Sequence, residues 1–91
     1  MFETDAIEAI SSHRANIDAI DERIVGLLNE RAVESLAIRG LKPTARLGLY
    51  DPKREEEIFE RVASYNTGPL FNDDLRTIYG VILKVSKEMR A

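Results

Sequence analysis

Three cations stand in phase along the first half of this chain: Arg14, Arg31 and Lys42. They emerge when the sequence is read with the alternating 3,4 step of a packed helix seam, starting at Ile7. The positions are Ile7, Ile10, Arg14, Ile17, Asp21, Ile24, Leu28, Arg31, Ser35, Ile38 and Lys42, and the step never slips. Six are aliphatic, so the face is one to be covered. A cation on such a face is costly unless something pairs with it. One arginine alone could snorkel to the edge or pair locally, with Asp21 as a candidate partner. Three in one phase point to an anionic ligand.

Distance sharpens the reading. Arg31 and Lys42 lie eleven residues apart, roughly 17 Å along a helix axis. Their long side chains could reach the two ends of a small dianion. Arg14 lies seventeen residues before Arg31, roughly 25 Å away, and cannot join that site from the same chain. An antiparallel second copy could supply it. Setting the partner's Arg14 between Arg31 and Lys42 places the two-fold axis near residue 25. There Ile24 and Leu28 can pack on their own copies, the self-complementary arrangement of an isologous dimer.

Further polar groups follow downstream. Ile58, Phe59, Val62 and Tyr65 form an apolar stripe, and Arg54 and Glu55 sit one turn earlier in the same phase. The charge run Lys53–Glu57 reads as solvated for Lys53, Glu56 and Glu57, and less well for Arg54 and Glu55. Ser86 follows Tyr79 and Ile82 in phase, and Arg90 lies one turn beyond it.

The elements that position these groups are three helices, with no alternating strand pattern of useful length. The first spans about residues 5–42. Thr4 or Asp5 can cap it, and Glu3, Asp5 and Glu8 suit the dipole at its start. No proline interrupts it before Pro43. At close to 38 residues it is about 57 Å long, too long for one small domain to cover. Residues 43–50 form a loop. Asp51 as N-cap and Pro52 at the first position open a second helix, about 52–65. Asn66-Thr67-Gly68-Pro69 ends it. Asn72 caps a third helix, about 73–90, with apolar positions Leu75, Ile78, Tyr79, Ile82, Val85 and Met89.

Composition narrows the chemistry. Ninety-one residues make one small domain. A chain of this size buries only about 60–65% of its unfolded surface, so a lone copy would be marginal. The 44% of apolar residues suffices for a core or an interface, and 32% charge argues for solubility. Zero cysteines exclude disulfides and thiolate chemistry, and a single histidine makes a structural zinc site improbable. No cofactor is expected. A net charge of −3 argues against nucleic acid, and no apolar run approaches a membrane span. The acidic start, Met1-Phe2-Glu3-Thr4-Asp5, lacks the basic region of a signal peptide, so a cytoplasmic location is expected.

Taken in order, these segments resemble the all-helical chorismate mutases over nearly the full chain. The matching pieces are His13-Arg14-Ala15-Asn16-Ile17-Asp18-Ala19-Ile20-Asp21, Leu27-Leu28-Asn29-Glu30-Arg31, then Lys42. Asp51-Pro52-Lys53-Arg54-Glu55, Asn66-Thr67-Gly68-Pro69-Leu70 and Ile82-Leu83-Lys84-Val85-Ser86 follow. The resemblance implies an intertwined, antiparallel helical homodimer with two active sites, each taking one arginine from the partner. It implies that the partner's Arg14 and Arg31 hold the carboxylates of chorismate and that Lys42 donates to the ether oxygen of the breaking bond. Glu55 and the backbone at Asp51 would bind the ring hydroxyl, with Arg54 and Ser86 completing the ring-side contacts. The product would be prephenate, precursor of phenylalanine and tyrosine.

Two positions depart from the family pattern. The first helix ends Ile38-Arg39-Gly40-Leu41-Lys42 where many members have Gly-x-x-Lys, and Lys42 keeps its register. Arg90 stands where the family commonly has Gln or Glu, a second donor to the ether oxygen. Three other readings stay open on the residues alone. One is a regulatory mutase-like module that senses a pathway metabolite or docks on another shikimate-pathway enzyme. Another is lyase chemistry on isochorismate. The last is a purely structural helical dimer.

Overall fold

A computed structural model describes residues 2–89. Its elements are α1 (Glu3–Leu41), α2 (Pro52–Tyr65) and α3 (Asn72–Glu88), and among the described residues there is no strand. The chain divides into two units, residues 1–33 and 34–91, and each is described by itself.

The first unit is the leading part of α1. The helix starts at Glu3, two residues before the expected Asp5, and the Ala6 amide donates to the Phe2 carbonyl at 3.1 Å. Glu3 and Asp5 lie in the first turn, where the dipole favours them. No residue of α1 is buried. All six aliphatic seam residues are at least 41% exposed, with Leu28 the least and Ile7 the most at 59%. Ile20, Val25 and Leu27, outside the seam, are exposed as well.

The second unit holds the end of α1, the loop, α2 and α3. After Leu41 the chain stays tightly wound: the Ala45 amide donates to the Leu41 carbonyl and the Leu47 amide to the Lys42 carbonyl. Asp51 caps α2 as expected, its Oδ1 accepting from the Arg54 amide at 3.0 Å, with Pro52 opening the helix. The turn between α2 and α3 is organised by one side chain. Asn66 Nδ2 donates to the Leu70 carbonyl and to Asn72 Oδ1, both at 2.8 Å, while Asn66 Oδ1 accepts from the Gly68 amide at 3.0 Å. Gly68 sits at φ +80°, where a side chain would be strained.

That network corrects the expected start of α3. Asn72 is not its cap but its first residue, because the carboxamide oxygen is taken by Asn66. Phe71 is the cap position, and Asp74 Oδ2 reaches back to accept the Phe71 amide at 3.1 Å. The helix ends at Glu88, two residues short of expectation.

α2 packs on α3. Leu83 of α3 is 6% exposed and the one buried apolar residue among those described. Ile58, Phe59 and Val62 of α2 and Leu75, Tyr79 and Ile82 of α3 are half-buried. Tyr65, expected to face inward, is 70% exposed, since it is the last residue of its helix and the chain turns away there. Ile78 and Val85 are exposed too, because the covered stripe of α3 runs through Leu75, Tyr79, Leu83 and Ser86 and leaves them at its flank. Across the outer edge, the Arg76 guanidinium meets Glu56 Oε2 at 3.2 Å and lies 4.2 Å from the centre of the Phe59 ring.

Candidate active site

The second unit gathers its polar groups where the first turn of α2 meets the last turn of α3. Asp51 is committed to capping α2, and its carbonyl accepts the Glu55 amide at 3.1 Å. This fixes the backbone of the turn that carries Glu55. The Glu55 side chain is only 23% exposed, and its Oε1 lies 3.0 Å from Lys87 Nζ. The Lys87 ammonium also lies 5.5 Å from the centre of the Tyr50 ring. The Lys87 carbonyl accepts from Arg39 Nη1 at 2.7 Å, tying the end of α1 to the end of α3.

Lys42 is half-buried, and its Nζ donates to the Leu49 carbonyl at 3.0 Å. In the sequence it has no acidic neighbour one turn back, where Ile38 and Arg39 stand, which points to an outside partner. The structure supplies a neutral one. An ammonium has three N–H donors, so this bond does not exhaust it. Ser86 is half-buried, its hydroxyl donating to the Ile82 carbonyl at 2.9 Å. Arg54 departs from expectation. Its phase suggests an inward position, but the side chain is exposed and runs along the helix to Glu57 at 3.7 Å. A pair at i, i+3 on the surface satisfies it locally, so helical phase is a poor guide to this long side chain.

On the first unit, Arg14 is exposed and borders a shallow hollow with Ile7, Ile10 and Ser11, while Arg31 is half-buried. Both belong to α1, seventeen residues and roughly 25 Å apart, so one copy of the helix cannot bring both to one small ligand. Arg90 lies outside the described residues.

Thus the structure brings Asp51, Glu55 and Lys87 together, leaves the Ser86 hydroxyl bonded to Ile82 on its own helix, places Lys42 against the loop that leads to α2, and turns Arg54 outward. Lys87, Arg39 and Tyr50 are the residues that sequence reasoning missed. Lys87 follows Ser86 directly, but nothing local marks a partner thirty-two residues earlier. Among the described residues no group of His, Asp or Glu side chains is placed to hold a metal ion, and no helix is long and apolar enough to cross a membrane.

The fold is therefore all-α, with one largely covered carboxylate paired to a lysine at a helix junction. The family model described as chorismate mutase type II matches residues 13–91, and the chain belongs to that family. It is 37% identical over 76 residues to a bifunctional chorismate mutase/prephenate dehydratase of Neisseria gonorrhoeae, and 43% identical over 60 residues to one of Aquifex aeolicus. These matches cover 84% and 66% of this chain. They span 20% and 17% of those relatives, so the chain corresponds to about a fifth of their length. Among solved structures, a chorismate mutase (form II) of Thermus thermophilus superposes with a TM-score of 0.86 at 32% identity, covering 89% of this chain and 92% of that one.

Proposed function

We propose that this chain is a chorismate mutase, an isomerase that rearranges chorismate to prephenate in the cytoplasm for phenylalanine and tyrosine synthesis. The observation that carries the reading is the family match over residues 13–91, which takes in every residue named for the site.

The active form is a homodimer. The exposed aliphatic seam of α1 supports this, because burying six such side chains would contribute on the order of 10 kcal/mol per chain. An antiparallel pairing also solves the separation of Arg14 from Arg31. Each site then holds Arg31 of one chain and the partner's Arg14, and these two guanidiniums take the two carboxylates of the dianion. Fork-shaped donors suit that task.

The rearrangement is unimolecular and pericyclic, so it calls for no nucleophile and no cofactor. What it requires is the compact reactive conformer, held so that the bonding carbons meet. Arg14 and Arg31 fix the carboxylates. Glu55 accepts from the ring hydroxyl, with the backbone at Asp51 beside it. Lys42 presents fixed positive charge where the ether oxygen becomes negative, the part of the reaction that gains most from preorganised charge. Ser86 and Arg54 complete the ring side. Arg54 reaches it only by leaving Glu57, which costs little because exposed pairs contribute about 0–1 kcal/mol. Arg90 is a second donor to the ether oxygen.

Purified protein should deplete chorismate absorbance with prephenate as the product. Release of pyruvate and salicylate from isochorismate, with chorismate left unchanged, would instead assign the site to lyase chemistry on isochorismate. Chorismate binding without turnover would assign it to a regulatory module.

A further inference from the structure

We propose that Lys87 is a positioning residue that masks the charge of Glu55, so that the site can take a dianion while Glu55 still accepts the hydroxyl of its ligand. The proposal rests on the reading of Glu55 given above.

Among the described residues three ion pairs link α2 and α3 or lie along them, and they differ in one respect. In Arg54–Glu57 and Arg76–Glu56 both side chains are about half exposed, as surface pairs are. In Lys87–Glu55 the carboxylate is largely covered, at 23%, and the pair is the shortest of the three at 3.0 Å. Lys87 is also held from two other directions. Its ammonium faces the Tyr50 ring, and its carbonyl is fixed by Arg39. A flexible surface lysine has no such constraints. A lysine held at both its head and its backbone can set the orientation of the group it touches.

The chemistry explains why a mask would be wanted. Glu55 is an acceptor on a helix start, suited to a hydroxyl. It is also an anion in a site read as binding two carboxylates. Without a counter-charge, its repulsion of the ligand would offset part of what the arginines contribute. Lys87 occupies Oε1 and compensates the charge, leaving Oε2 to accept. Among the described residues Lys87 is the cation paired to Glu55, while Arg54 pairs with Glu57 and Arg76 with Glu56.

The test uses the full chain in four variants: Lys87→Met, Lys87→Arg, Glu55→Gln, and Lys87→Met combined with Glu55→Gln. Chorismate turnover and chorismate binding by calorimetry are measured on each, at low salt and at about 0.5 M salt. Lys87→Met should raise KM and Kd by roughly tenfold, the scale of one charge-assisted hydrogen bond, with kcat within about twofold. The penalty should shrink at high salt, because it is like-charge repulsion. Lys87→Arg should recover most of the affinity. In the Glu55→Gln background, Lys87→Met should change nothing further, since no charge remains to mask. An equal penalty in that background, or one that tracks the melting temperature and ignores salt, overturns the proposal. Binding without turnover in the parent protein would overturn the mutase reading while the binding constants still decide the role of Lys87. A parent protein that neither binds nor turns over chorismate overturns both.

Discussion

Arg14→Ala chains mixed with Arg31→Ala chains should recover activity that neither variant has alone. On the proposed reading, each variant by itself removes one of the two guanidiniums that hold the substrate carboxylates. Loss of one partner from a desolvated charge pair costs about 2–5 kcal/mol, so each should be nearly inactive. Their hybrid differs. In a heterodimer one site combines Arg31 from the Arg14→Ala chain with Arg14 from the Arg31→Ala chain, and both arginines are intact. The other site lacks both. Random re-pairing gives about half heterodimers, each with one working site, so activity should return to roughly a quarter of the parent value. Chains must be exchanged by unfolding and refolding the mixture, and heterodimer formation confirmed with a tag. Heterodimers without recovered activity would mean that Arg14 does not act across the dimer. The basis for the prediction is the length of α1, which separates the two arginines by more than any small ligand can span.

Lys42→Ala should raise the barrier by at least ~3 kcal/mol, the scale for removing one preorganised donor from a developing oxyanion. That is more than a hundredfold in kcat. Stability should change little. The bond lost in the resting protein is an exposed one to the Leu49 carbonyl, worth about 0.5–1.5 kcal/mol at most. The two readouts therefore separate the roles. Turnover at the parent rate with a large fall in melting temperature would make Lys42 a strap on the loop and nothing more.

How much of this arrangement is legible in the sequence depends on what each feature requires. The start of α2 is legible because Asp51-Pro52 is a local signal with a local cause, and the cap bond to the Arg54 amide is its result. The long α1 is legible because nothing breaks it between Glu3 and Leu41. The seam is legible because its step repeats. The start of α3 differs from expectation for a reason local chemistry cannot show. Asn72 has the right side chain for a cap, but Asn66, six residues earlier, claims it. Leu83, and not Val85, is the buried residue of α3, because periodicity names a face and only tertiary packing decides which of its positions is covered. Arg54 turns outward because phase locates a Cβ and not the end of a long side chain. Lys87 carries no local signal because its partner, Glu55, is a tertiary neighbour. Of the candidate site, residues tied to helix starts and to the seam can be read from sequence, and the residue that holds Glu55 cannot.

On the proposed reading the active site exists only when two chains share it. Specific activity measured on dilution, alongside sedimentation at the same concentrations, tests this most directly. The expected result is a dimer at micromolar concentration and a specific activity that falls in step with the dimer fraction. A folded monomer that rearranges chorismate at the full rate would contradict it.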